Sequence, residues 1–183
     1  MIKKKLLYVD DNHIEIDEMK NLFADARLST LYDYDYIHCP YEPTKTWEEH
    51  KEAILSEINN KKAGVNIVML DMILTGSPTN GTPLSLEITD TLKRDVSNTF
   101  EIIFVTGYTT KNMLLTQDAK WDDNKYLLRN KPKIKPPIPR MVEGECPPSQ
   151  DGKCSEKNYG NCTHKDCFIK YMEMLSRGEI RHD

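Results

Sequence analysis

Three carboxylates and a hydroxyl stand where the chain can bring them together. Lys5-Leu6-Leu7-Tyr8-Val9 runs into Asp10-Asp11, Val65-Asn66-Ile67-Val68-Met69-Leu70 ends on Asp71, and Glu101-Ile102-Ile103-Phe104-Val105 runs into Thr106-Gly107. Carboxylates held close together repel and raise one another's pKa values unless a cation sits among them. Oxygen ligands with open water positions suit magnesium. Such an ion would neutralise charge on an incoming phosphoryl group and leave one carboxylate to attack it. An aspartate nucleophile gives an acyl phosphate. Thr106 offers a hydroxyl to the remaining phosphoryl oxygens, and Lys131, just before Pro132, offers an ammonium.

The elements that position these groups follow from the pattern. Val65–Asp71 is a β-branched apolar run, too short for most helices, and reads as a strand buried on both faces of a parallel sheet. Ligands in open α/β sheets gather beyond the carboxyl ends of the strands, where Asp71 falls. After the first strand, Ile16, Met19, Leu22, Phe23 and Ala26 give one buried helical stripe over residues 13–26. Residues 32–39 alternate aromatic and acidic side chains, as a partly exposed strand does. Thr46-Trp47-Glu48-Glu49 is a capping box opening a helix to about Asn60. Pro83 opens a helix to about Val96, a short helix is expected over residues 111–121, and a last strand over residues 125–131. Phe168, Ile169, Tyr171, Met172 and Leu175 form a final helical stripe closed by Gly178. Repeated alternation of strand and helix predicts a doubly wound, five-stranded parallel sheet.

Each candidate has a bland reading. A strand-end aspartate is often a turn residue or helix cap, which would suffice for Asp10-Asp11-Asn12, and Thr106-Gly107 would suffice as a turn. Capping does not explain why neighbouring strand ends all carry groups of this kind. Gly76 and Gly81 have phosphate-loop spacing, but Thr82 stands where the lysine belongs. An aspartate-based phosphatase wants a second acid two residues beyond the nucleophile, where this chain has Ile73. His13 and His38 are isolated and read as surface or packing residues.

Taken together, Tyr8-Val9-Asp10-Asp11-Asn12, Val68-Met69-Leu70-Asp71, Phe104-Val105-Thr106-Gly107 and Lys131-Pro132 resemble the receiver domain of two-component response regulators, over roughly residues 1–132. The resemblance implies a flavodoxin-like strand order, with Asp71 as phosphoacceptor. It further implies that Asp10, Asp11 and Asp71 hold magnesium with the backbone carbonyl of Ile73, that Thr106 is the switch hydroxyl, and that Lys131 is the phosphoryl-binding cation. The fifth strand departs from the family pattern: Leu128 stands where an aromatic is usual, and aligning Tyr126 there instead would place Arg129 in the lysine position. The loop after Asp71 also lacks the usual early proline. The implied partners are a sensor histidine kinase or phosphotransfer protein and a downstream protein. The protein is expected not to be an enzyme, beyond slow self-dephosphorylation. Two alternatives stand beside this reading: a degenerate receiver serving as an unphosphorylated scaffold, and a magnesium-dependent phosphatase using Asp71.

Composition breaks near residue 131. Six of the ten prolines lie from Pro132 to Pro148, and four of the five cysteines, Cys146, Cys154, Cys162 and Cys167, follow or interleave with them. Those thiols, with His164 as a substitute ligand, fit a tetrahedral zinc site, although paired C-x-x-C ligands are lacking. So polar a segment needs a metal to fold, or else is a flexible tail; a disulfide framework is less expected in a chain without signs of export. The expected organisation is a receiver core at 1–132, a proline-rich connector and cysteine-rich zinc module at 133–166, and a C-terminal helix at 167–178 completing the receiver. The net charge of -4 gives no global attraction to nucleic acid, and 38% hydrophobic residues without a long apolar run give no membrane span. Only four apolar residues separate the N-terminal lysines from Asp10, too few for a signal peptide, so a cytoplasmic location is expected.

Overall fold

In the computed structural model the described residues are 2–72, 74, 84–106, 127–130 and 165–179. Strands β1 (Lys4–Asp10), β2 (Tyr32–His38), β3 (Val65–Asp71), β4 (Glu101–Thr106) and β5 (Leu127–Asn130) form one parallel sheet in the order β2-β1-β3-β4-β5. This is the doubly wound order whose direction of winding reverses between β1 and β3, at the crevice where such folds bind ligands. Helices are α1 (His13–Phe23), α2 (Ala26–Ser29), α3 (Trp47–Lys61), α4 (Leu84–Arg94) and α5 (Lys165–Ser176).

Two apolar layers hold the sheet. On one face Leu6, Ile67, Met69, Ile103 and Val105 pack against the α1 and α2 stripe and against Phe168, Ile169, Tyr171, Met172 and Leu175 of α5. On the other, Leu7, Val9, Val68, Leu70 and Phe104 meet Ile54 and Ile58 of α3 and Leu84, Ile88 and Leu92 of α4. Fully burying one such side chain contributes roughly 1.5–3 kcal/mol, so α5 is joined to the sheet by a large term although it is distant in sequence. Two polar contacts reinforce it: the Tyr32 hydroxyl donates to the Met172 carbonyl at 2.6 Å and Lys4 Nζ donates to the Leu175 carbonyl at 2.8 Å. The lysine adds a second hydrogen bond to a carbonyl in the last turn, at the negative end of the helix, that also accepts from the Gly178 N–H.

Local signals set most boundaries. The capping box at Thr46 is complete, with the Glu49 N–H donating to Thr46 Oγ1 at 3.3 Å and the Thr46 N–H donating to Glu49 Oε2 at 2.7 Å. Gly178 takes φ +70°, while the Gly178 and Glu179 N–H groups donate back to Leu175 and Met174. This is a left-handed helix stop that a side chain would strain. Some boundaries differ from expectation, α5 among them, which runs Lys165–Ser176 where 167–178 is expected. Ala26 begins the separate helix α2 because the Asp25 side chain accepts from the Arg27 N–H and starts a new turn. Helix α4 ends at Arg94, and Val96, 95% exposed, lies beyond it. The expected helix over 111–121 lies outside the described residues. Among the described residues no helix is long and apolar enough to cross a membrane.

Candidate functional site

Parallel pairing brings the first three acids together. Val9 is in register with Leu70, and Asp71 with Val105, so β1, β3 and β4 reach the carboxyl edge of the sheet at the same level. One carboxylate oxygen from each of Asp10, Asp11 and Asp71 lies within 4.8 Å of the others. Asp10 is fully buried and Asp71 nearly so, while Asp11 is half-buried at the rim.

The surroundings separate structural duty from chemistry. Asn12 is the cap of α1, its Oδ1 accepting from the Ile14 N–H at 3.0 Å. Asp10 Oδ1 accepts from the Asn12 N–H at 2.9 Å, as a turn aspartate does, so the bland reading of this segment holds in part. It leaves Asp11 and Asp71 unexplained. Asp71 is placed by β3, whose hydrogen bonding to β4 continues past it through Met72 N–H to the Val105 carbonyl, at 2.8 Å. Ser85 Oγ donates to the Met72 carbonyl at 2.6 Å, fixing the start of α4 beside the end of β3.

Three neighbours were not among the expected site residues. The buried Tyr8 hydroxyl donates to Asp10 Oδ2. Burial, and then the charges of Asp10 and Asp71, push that hydroxyl well above its ordinary pKa. A signal existed: Tyr8 precedes Asp10 by two, and residues two apart on a strand share a face. Cys39 follows β2 and its N–H donates to the Asp10 carbonyl at 3.0 Å. Burial, followed by Asp11, Asp10 and Asp71, pushes its thiol strongly upward. The ring nitrogen Nε2 of His38 lies 3.1 Å from the Asp11 carbonyl, so this histidine packs on the rim of the cluster.

Thr106 ends β4 one residue beyond the partner of Asp71 and pairs with Asn130 of β5. Arg129 is in register with Val105, and Val105 with Asp71. Lys131 and Ile73 lie outside the described residues, as do Cys146, Cys154, Cys162 and His164. Cys167 falls within α5.

The donor set fits magnesium. It is all oxygen, and ligands on one ion at about 2.0–2.1 Å lie roughly 3–4 Å from each other, a range that falls inside the 4.8 Å that bounds these three oxygens. Asp11 is the partly exposed member of the three. Strand order and cluster together define a doubly wound parallel α/β protein with an acidic pocket at the carboxyl edge of its sheet.

No protein-family model matches the chain, and no curated protein does. Among solved structures it is similar to the signal receiver domain of a putative Luxo repressor protein from Vibrio parahaemolyticus, with 15% identity over 77% of this chain and 88% of that one and a TM-score of 0.43. It is also similar to a fusion carrying a trimeric coiled coil of yeast Spc42, with 11% identity over 100% of this chain and 86% of that one and a TM-score of 0.47. At such scores neither likeness bears on function.

Proposed function

We propose that this chain is a phosphorylatable receiver: Asp71 accepts a phosphoryl group, and the product signals through changed protein contacts. The observation that carries the reading is the meeting of Asp10, Asp11 and Asp71 at the carboxyl edge of β1 and β3. Asp10, Asp11 and Asp71 would hold magnesium, together with the Ile73 carbonyl. When bound, the ion supplies charge neutralisation for the phosphoryl oxygens. An Asp71 oxygen attacks phosphorus, the bond from phosphorus to the donor's leaving atom (an imidazole nitrogen in a phosphohistidine, an oxygen in acetyl phosphate) breaks, and that atom departs with the electron pair. Thr106 and Lys131 would then take the phosphoryl oxygens, with Arg129 the alternative cation. The expected partners are a histidine kinase or phosphotransfer protein and a downstream protein.

Acetyl phosphate with magnesium, followed by intact-mass measurement, tests this. One phosphoryl group per chain is expected, base-labile and lost in Asp71→Asn. Labelling that survives the substitution overturns the assignment, no labelling favours a scaffold, and multiple turnover on phosphoesters points to a phosphatase. Cys146, Cys154, Cys162 and Cys167, with His164 in reserve, would form a structural zinc site. Elemental analysis of protein purified without added metal should find about one zinc per chain, on the four-ligand rule.

A further inference from the structure

Tyr8 and Asp10 share one face of β1, and both are fully buried. The ring is fixed among Leu6, Ile67 and Met69, and its hydroxyl donates to Asp10 Oδ2 while the Asn12 N–H donates to Oδ1 at 2.9 Å. Both oxygens of the carboxylate are therefore gripped from the protein side, one by a backbone amide and one by a ring that packing holds still. A buried tyrosine hydroxyl needs some acceptor. Tyr32 meets that need with the Met172 carbonyl, far from the acids. Tyr8 meets it with a member of the acidic cluster.

We infer that Tyr8 is a positioning residue for a cation at Asp10, Asp11 and Asp71, fixing the plane of the Asp10 carboxylate to suit a small octahedral ion. This rests on the reading of the cluster as a magnesium site. Magnesium requires near-ideal octahedral geometry, whereas calcium accepts flexible coordination. Loss of the orienting hydroxyl should therefore weaken magnesium more than calcium. Groups that orient a metal ligand are typically worth 10- to 100-fold in affinity.

Calorimetric titration of the full chain with magnesium and with calcium decides the matter. Tyr8→Phe keeps the ring and should lose about tenfold or more in magnesium affinity, with a smaller loss for calcium. Tyr32→Phe, which removes a buried hydroxyl elsewhere, should leave both affinities unchanged. Unchanged magnesium affinity in Tyr8→Phe, or equal losses for the two ions, overturns the role of Tyr8. Wild-type protein that binds neither ion overturns the magnesium reading itself, a distinct result. Should Tyr8→Phe fail to fold, the unaltered chain still answers. Magnesium drawn onto Asp10 should shift the C–O stretch of its tyrosine partner in an infrared difference spectrum. A spectrum with no tyrosine band overturns the assignment.

Discussion

The two ends of the sheet treat charge in opposite ways. At the carboxyl end Asp10, Asp11 and Asp71 crowd like charges into a largely buried space. At the amino end, beside Val65 and Phe100, polar groups are matched: Lys62 Nζ donates to Asp95 at 3.3 Å and to Asn98 at 3.0 Å, and Asn66 Oδ1 accepts from the Lys5 N–H at 2.8 Å. Both ends use residues of similar polarity. The amino end joins complementary groups, whereas the carboxyl end brings three like-charged groups within 4.8 Å of one another. Repulsion retained in a fold is the usual mark of a site kept for function at some cost in stability.

Four expected outcomes probe that contrast. The largest is in labelling: Asp71→Asn abolishes phosphoryl transfer from acetyl phosphate, whereas Lys62→Ala at the opposite end leaves it intact by mass. Next, magnesium at one hundred times its dissociation constant should stabilise the wild-type chain by about 2.7 kcal/mol against urea, and Asp11→Asn should reduce that gain. Third, without magnesium the signs should oppose. Asp71→Asn should stabilise by about 1 kcal/mol through relief of repulsion, and Lys62→Ala should cost at most about 1 kcal/mol, as exposed pairs do. A destabilised Asp71→Asn would remove the contrast.

The smallest effect is in acid. Hydrogen bonds from the Ser97 hydroxyl and N–H, and then from Lys62, hold the Asp95 carboxyl below its ordinary value of 3.8. A depressed folded pKa adds stability that is complete above the unfolded value and is lost as pH falls through the folded one. Wild-type stability should therefore fall slightly more steeply below pH 3.8 than that of Asp95→Asn. Equal slopes in urea titrations across that range would show that the pair contributes nothing.

Much of this was legible in the chain because the signals are local. The apolar run Val65–Asp71 is a strand with the expected bounds, since burial on both faces admits few other conformations. The Thr46 box and Gly178 act within four or five residues, and both stand where the sequence places them. The carboxylates at the strand ends were readable for the same reason, as each merely terminates an apolar run. Ala26 was misplaced because Asp25 as a cap competes with an apolar stripe, and periodicity does not register such a competition.

The remainder depended on pairing over long distances. Residue types alone put Asp10, Asp11 and Asp71 at strand ends. Only the register of Val9 with Leu70 brings their oxygens within 4.8 Å. The helical stripe of α5 was evident as a period, yet its place beside Leu6 and Ile67 follows from the unfilled face left by the sheet. Tyr8 shows the limit most plainly. Its spacing from Asp10 indicates a shared face, but a hydroxyl chooses its acceptor from whatever the packed core leaves in reach. That choice is made by tertiary structure, because hydrogen bonds need distance and direction that no spacing along the chain supplies.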